Sequence, residues 1–468
     1  MTDFDALLQP DRGEPARIIH LVDKMTFEAW AREQPANRRA LLDATLFDGK
    51  SAYQYAILPT AGGAGDFEIV STVANTQELS PWCLAKLAEA LPEGRYRLSK
   101  DDPGKAALGW LLGQHSFDRY KSKPAPERGA RVLLTSEVAR IAETVRLAEA
   151  TALVRDLVDT PAADLGPAEL EQAIRDAAST WGGEVTVTSG DRLEQGYPMI
   201  AAVGRAAVPA RAPRLIEATW GDPANPRIAV IGKGVAFDSG GLNLKPGAGM
   251  RLMKKDMGGA AHALALAGLI AGARLPVRLH LLIPAVENAV AGGAFRPGDV
   301  LTSRAGQTVE VDNTDAEGRL ILADALTRAG EDNPALIIDF ATLTGAARVA
   351  LGPDLPPLFA NDEPLAEALL SAAREVADPL WRMPLWYGYD DMLKSDLADV
   401  ANSADSPMAG CITAALFLRR FVPEGTPWAH LDTFAWRPVG KPGRPKGGEA
   451  LGLRAAFAAL ERLHHRAG

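Results

Sequence analysis

The sequence predicts an α/β protein: a smaller N-terminal α/β domain joined by a long helix to a larger C-terminal α/β domain with a central, largely parallel sheet. Three observations predict it. A chain of 468 residues is too long for one ordinary domain core. Residues 121–131 are charged, contain proline and lack periodicity, as a linker does. Beyond them, apolar runs of strand length alternate with alanine-rich runs at helical spacing.

The elements follow in order. Residues 1–130 form the N-terminal domain and linker, 131–160 a connecting strand and helix, and 161–468 the C-terminal domain. Arg131–Thr135 reads as a short strand, and Ser136 as the cap of a helix running to about Val158. Val138, Ile141, Val145, Ala148 and Ala152 keep one face of that helix apolar, and Pro161 and Gly166-Pro167 end it. Strands are expected at Arg214–Thr219, Arg227–Ile231, Val277–Ile283, Thr308–Val311 and Ala335–Phe340, and helices at 258–272, 316–330, 364–377, 409–421 and 448–463. No internal repeat or low-complexity tract interrupts the pattern.

Composition excludes several function classes. Hydrophobic residues at 47% and charged residues at 23% suit a soluble globular chain. The net charge of −9 argues against a nucleic-acid binder, because phosphate backbones are held chiefly by Lys and Arg. Two cysteines, Cys83 and Cys411, cannot build a disulfide framework or a thiolate zinc cage, which suits a reducing compartment. None of the seven histidines stands in an H-E-x-x-H pattern. Met1–Glu14 is acidic and carries no secretory pattern. The longest uncharged run, between Asp256 and Arg274, is rich in Ala and Gly and reads as a buried helix rather than a membrane span. A cytoplasmic protein is expected.

Three glycine-rich motifs fail. Gly232-Lys233-Gly234 follows a predicted strand, but a dinucleotide fingerprint needs glycine at 237, which is Phe237. Lys233 is followed by Gly234, which a P-loop forbids, and a nucleophile elbow around Ser239 again needs glycine at 237. What remains is a density of ionisable residues just past predicted strands. Lys233, Asp238, Lys245 and Asp256 form one group; Asp315, Glu317 and Arg319, within Asn313-Thr-Asp-Ala-Glu-Gly-Arg-Leu320, form the other. In open α/β sheets, ligands bind outside the carboxyl ends of strands. Four carboxylates gathered there repel one another, and one or two divalent cations would remove that penalty. Each residue taken alone also fits a helix cap or a solvated charge.

At these residues the sequence resembles the leucyl aminopeptidase family, dinuclear metallo-exopeptidases of the cytosol. The octapeptide 313–320 looks like that family's signature. Gly232-Lys-Gly-Val-Ala-Phe-Asp-Ser-Gly-Gly241, Lys245, Lys255-Asp-Met-Gly-Gly-Ala-Ala261, Ala341-Thr-Leu-Thr-Gly-Ala346, Trp428-Ala-His-Leu-Asp432 and Phe117-Asp-Arg-Tyr-Lys121 agree in order and spacing. The resemblance runs from about Leu108 to the C-terminus; the first hundred residues show none.

The resemblance implies a catalytic C-terminal domain that removes the N-terminal residue from peptides with a free N-terminus. It implies two divalent metal ions per subunit, Mn²⁺ or Zn²⁺ with Mg²⁺ a further candidate. Asp238, Asp315 and Glu317 would hold one, and Lys233, Asp238, Asp256 and Glu317 the other. Lys245 would stabilise the oxyanion and Arg319 would hold a bicarbonate general base. Met253, Thr342 and Gly345 look like walls for the first side chain, and a homohexamer is the implied assembly. After Asp432 the chain reads Thr433-Phe434-Ala435-Trp436, where the common pattern continues Ile-Ala-Gly, so leucine preference does not carry over; Phe434 and Trp436 are expected to be core. The basic loop Arg437 to Lys446 reads as a solvated loop or subunit contact, and His262 as a packing residue. Two alternatives stand beside the peptidase: another two-metal hydrolase, such as a phosphoesterase using Lys245 and Arg319 for phosphate, and a scaffold or DNA-binding relative that has lost its chemistry.

Overall fold

The strands expected at 214–219, 227–231, 277–283 and 335–340 all form, because apolar runs of that length have no polar face to show to water and pair into a covered sheet. The computed structural model describes residues 2–60, 66–100, 102–123 and 128–464. It divides into two compact units, Met1–Ala152 with Val439–Pro445, and Leu153–Pro438 with Lys446–Gly468. Part of the expected linker, 124–127, lies outside the described residues.

The first unit holds a six-stranded sheet of β1 (Leu8–Pro10), β2 (Arg17–Val22), β3 (Tyr55–Pro59), β4 (Phe67–Thr72), β5 (Gly94–Leu98) and β6 (Arg131–Thr135), in the order β1-β6-β5-β2-β4-β3. Only the β3–β4 pair is antiparallel. Ile19, Ile69, Tyr96 and Leu133 are buried with Leu87, Trp110 and Leu111. The division between the units falls inside the long helix α1 (Val138–Asp159). Ser136 does not cap it: its hydroxyl binds Asp102, and the Glu137 N–H donates to Thr135 Oγ1 at 3.1 Å. A nearby carboxylate is the stronger acceptor and takes the hydroxyl.

The second unit is built on a nine-stranded sheet. Its strands are β7 (Glu184–Ser189), β8 (Arg214–Trp220), β9 (Arg227–Gly232), β10 (Gly234–Asp238), β11 (Arg278–Asn288), β12 (Leu336–Ala341), β13 (Pro357–Ala360), β14 (Trp381–Arg382) and β15 (Trp428–Asp432). The central strands β15, β12, β9 and β11 run parallel, while β8 and β7 on one flank and β13 on the other are antiparallel to their inner neighbours. Helices α2 (Gly258–Gly272) and α3 (Glu317–Gly330) are buried over most of their length. The start of α2 docks backbone to backbone: a Cβ on Gly259 would lie 2.2 Å from the Phe340 carbonyl oxygen and 2.9 Å from the Lys233 nitrogen.

Two further expectations need correcting. The strand expected at Thr308–Val311 spans Thr308–Glu310 and belongs to a separate three-stranded sheet with Val300–Thr302 and Val400–Ala401. The helix expected from 448 begins at Leu453, because Gly447–Gly448 pairs with Trp436–Arg437 and Gly452 turns the chain at φ +82°. No described helix is long and apolar enough to cross a membrane.

A candidate metal centre at the strand ends

The carboxyl ends of β9, β10 and β12 converge on one pocket of about 290 Å³. Gly232-Lys233-Gly234 joins β9 to β10 with no room for side chains at the two glycines, since a Cβ on Gly232 would stand 2.6 Å from the α2 backbone and one on Gly234 2.7 Å from the Pro284 carbonyl oxygen. The Lys233 N–H donates to the Phe340 carbonyl at 3.0 Å, and the Lys233 carbonyl accepts from the Ala260 N–H at 2.8 Å. Lys233 is thereby clamped between β12 and α2. Asp238 ends β10, and Gly240 then turns back at φ +88°, so that the Lys245 N–H reaches the Ser239 carbonyl at 3.0 Å. That turn returns the Lys245 ammonium to Asp238 Oδ2 at 2.8 Å.

The second segment locks onto the first. The Thr314 hydroxyl donates to the Gly240 carbonyl at 2.6 Å, and Thr314 and Asn243 exchange hydrogen bonds. Asp315 is thus set beside Lys245, 2.5 Å from Nζ. Glu317 opens α3 and lies 2.9 Å from Lys233 Nζ, which also pairs with Asp256 at 2.7 Å. One carboxylate oxygen from each of Asp238, Asp315 and Glu317 lies within 4.8 Å of the others. All seven residues expected as ligands or catalytic groups meet here.

Their electrostatics are those of an under-neutralised cluster. Burial pushes the Glu317 carboxyl well above the usual range and the Asp238 charge adds to it; the same two causes raise Asp315. Burial also acts against Asp256, but Lys233 and Lys255 hold it below the usual carboxylate range. Burial would lower Lys233 and Lys245, yet the surrounding carboxylates outweigh it and hold both above the ordinary lysine value. Neither oxygen of Glu317 accepts a hydrogen bond, and Asp256 Oδ2 and Asp315 Oδ1 have none either; the lysines reach ion-pair distance without hydrogen-bond direction. Buried acceptors left in this way cost free energy unless something else is coordinated there. Hard oxygen donors and one amine fit divalent cations.

Arg319 is buried behind the carboxylates. Its Nη1 donates to the Asn402 carbonyl at 2.7 Å, its Nε has no partner, and burial lowers its pKa to about 10. A buried guanidinium whose Nε is unused is suited to a small anion. Met253, Thr342 and Gly345 line the same pocket. Thr342 also does something the sequence does not reveal: its hydroxyl donates to Asp256 Oδ1 at 2.8 Å and so orients that carboxylate. Asn288, at the end of β11, does the same for Asp238 Oδ1 at 2.8 Å while bonding the Thr314 carbonyl. The strand read from the sequence stopped at Ile283, and only its observed extension to Asn288 brings this side chain to the site.

Other expectations divide. His262 packs as read, with Nδ1 2.7 Å from the Gly258 carbonyl oxygen and Nε2 accepting from the Leu451 N–H. Trp436 is buried, but Phe434 is only partly so, and the cations of Arg348 and Lys255 lie 4.5 and 5.6 Å from its ring centroid. The basic loop is not simply solvated: Arg437 is buried between Glu449 and Asp354, and the Arg444 guanidinium lies over the Trp82 ring at 4.5 Å.

Comparison with known proteins places this arrangement. The family model described as "Cytosol aminopeptidase family, catalytic domain" matches residues 152–456, and that described as "M17 aminopeptidase, N-terminal domain" matches residues 18–134. The second match corrects the expectation that likeness starts near Leu108. A domain core accepts many apolar substitutions of similar volume, so its relatedness is carried by pattern rather than by motifs. The probable cytosol aminopeptidase of Syntrophotalea carbinolica is 43% identical over 369 residues, covering 75% of this chain and 73% of that protein. The crystal structure of the Coxiella burnetii cytosol aminopeptidase has a TM-score of 0.93 at 44% identity, covering 98% of this chain and 100% of that one. The bottromycin maturation enzyme BotP in complex with Mn has a TM-score of 0.86 at 33% identity, covering 96% of this chain and 100% of that one.

Proposed function

The chain belongs to the cytosol aminopeptidase family and is a metallo-aminopeptidase, and from that premise we propose how its residues divide the work. Asp238, Asp315 and Glu317 would hold one divalent cation; Lys233, Asp238, Asp256 and Glu317 would hold the second. The observation that carries this is the set of buried carboxylate oxygens on Glu317, Asp256 and Asp315 that accept no hydrogen bond. Manganese is a candidate because BotP is described in complex with Mn, and zinc and magnesium suit the same donors. When bound, such a pair would supply Lewis acidity and lower the pKa of water for attack on the scissile carbonyl.

The remaining steps belong to the protein. Lys233 can ligate only as a neutral amine, so it must release the proton that Asp256 and Glu317 now hold on it. Lys245, set between Asp238 and Asp315, would turn its ammonium to the substrate carbonyl oxygen, a contact that strengthens as negative charge develops there. Arg319, through its free Nε, would hold bicarbonate as the proton acceptor. The carboxylates around the pocket favour a free α-amine at the end of a peptide, which an internal peptide bond lacks. The family resemblance supports a cytoplasmic homohexamer, which sedimentation in solution tests directly.

The test is metal removal. EDTA should abolish cleavage of an aminoacyl anilide, and Mn²⁺ or Zn²⁺ should restore it, with calorimetry reporting two sites per subunit. A single site, or two sites unaffected by Glu317→Gln, would refute the ligand assignment.

A further inference from the structure

Arg348 is the pocket cation that the metal centre leaves unused. It stands in the short helix Gly345–Leu351 and lines the same cavity as Lys245, Met253 and Thr342. Its Nη1 donates to the Thr344 carbonyl at 3.0 Å, and its guanidinium carbon lies 4.5 Å from the Phe434 ring centroid. Its Nη2 borders Gly345, 3.6 Å from where a Cβ would stand on that glycine. Lys233, Lys245 and Lys255 each have a carboxylate within ion-pair distance, whereas Arg348 pairs with none among the described residues. Asp432 and Asp256 lie close enough to influence it, but Asp432 already accepts from the Leu343 and Thr344 N–H groups and from the Thr344 hydroxyl, and Asp256 is engaged by Lys233 and the Thr342 hydroxyl.

A guanidinium in this setting is a demand for an anion. Arginine does not give up its proton inside a protein, and Arg348 is half-buried, so part of its hydration is lost until an anionic partner arrives. The Phe434 face holds the planar fork in place, and a carboxylate is the anion whose two oxygens match it. Lys255, whose ammonium lies over the same ring, adds positive charge on that side of the cavity. Phe434 belongs to the segment after Asp432 where this chain departs from the common pattern, so the ring that steadies Arg348 accompanies a change in the pocket wall.

We propose that Arg348 binds a substrate carboxylate and gives the enzyme a preference for peptides whose first residue is acidic. The inference rests on the aminopeptidase reading for which end of the peptide enters. The first side chain is the favoured source because Arg348 shares its wall with Met253, Thr342 and Gly345. The C-terminal carboxylate of a dipeptide has the same chemistry and is the other source.

Glutamyl and glutaminyl anilides decide it, since they differ in charge and hardly in shape. Wild-type kcat/KM should favour the glutamyl substrate by about tenfold or more. Arg348→Met should erase that ratio, and Arg348→Lys, which keeps the charge but not the fork, should recover part of it. Calorimetry with free L-glutamate and L-glutamine on the manganese-loaded wild type reads the same contrast without turnover or any variant. It separates this inference from the catalytic proposal, which fails if no anilide is cleaved. Leu-Leu against its C-terminal amide forms the second arm: a preference for the free acid, lost in Arg348→Met, with glutamyl equal to glutaminyl, assigns the carboxylate to the C-terminus. Equal handling in both arms and equal calorimetric affinities would overturn the proposal.

Discussion

Two sets of carboxylates are buried in the larger unit, and they are treated in opposite ways. At Glu449, Oε1 accepts from Arg155 and the Ala450 N–H, and Oε2 accepts from Arg437. Asp378 binds the N–H groups of Gly452, Arg454 and Ala455, and Asp339 binds His430 at 2.6 Å and Trp428 at 2.7 Å. Both oxygens of each are in use. At the strand ends, Glu317 is equally buried and neither oxygen accepts a hydrogen bond. Burial of charge therefore does not mark the functional site here; unspent acceptor capacity does. One set is complete without further ligands, and the other is organised around something it would bind.

The sharpest way to break this comparison is to neutralise one member of each set. Glu317→Gln or Asp315→Asn should lower kcat more than ~100-fold in metal-replete assays while the unfolding midpoint holds or rises, because a desolvated charge has gone. Near wild-type turnover would end the assignment. Glu449→Gln should do the reverse: it strands the buried Arg155 and costs about 3–5 kcal/mol of stability in urea titrations.

pH sharpens the contrast at a buried residue that is not a proposed ligand. Burial lowers His262 to about 4 from 6.5. Below 6.5 the unfolded chain takes up a proton that the folded one does not, so its contribution is complete above 6.5 and is lost as pH falls toward 4. The loss amounts to about 3 kcal/mol. Denaturation curves at pH 7 and 4.5 should show a steeper decline for wild type than for His262→Gln. The smallest effect belongs to Thr342→Val, which removes one hydrogen bond from Asp256. It should weaken metal binding by about tenfold, as titration calorimetry would show, and change stability little.

Much of this was legible in the sequence, for physical reasons that differ by element. Helix 258–272 could be read because its alanines and glycines leave no other way to bury so long an uncharged run. The residues proposed as metal ligands were legible as motif positions, since they fall in two short segments whose spacing is local. Choices that depend on distant partners were not legible. Ser136 gave its hydroxyl to Asp102, Gly447–Gly448 paired with Trp436–Arg437 instead of starting a helix, and Arg437 turned inward to Glu449. Arg348 escaped notice for the same reason: its significance lies in the carboxylate it lacks, and only assembled neighbours reveal that.

The backbone docking of α2 has a practical consequence for redesign. Gly232 and Gly259 cannot take even a methyl group, which would strike backbone, and at Gly318 it would stand 2.6 Å from Lys233 Cε and displace that side chain. These positions act as a fixed plate on which Lys233 is mounted. Gly345 is different, because the nearest atom to a new Cβ is the far end of Arg348 at an ordinary contact distance. A library that changes 345, 348 and 434 therefore edits the rim while leaving the plate alone, and selectivity can be retuned without dismantling the machinery beneath it.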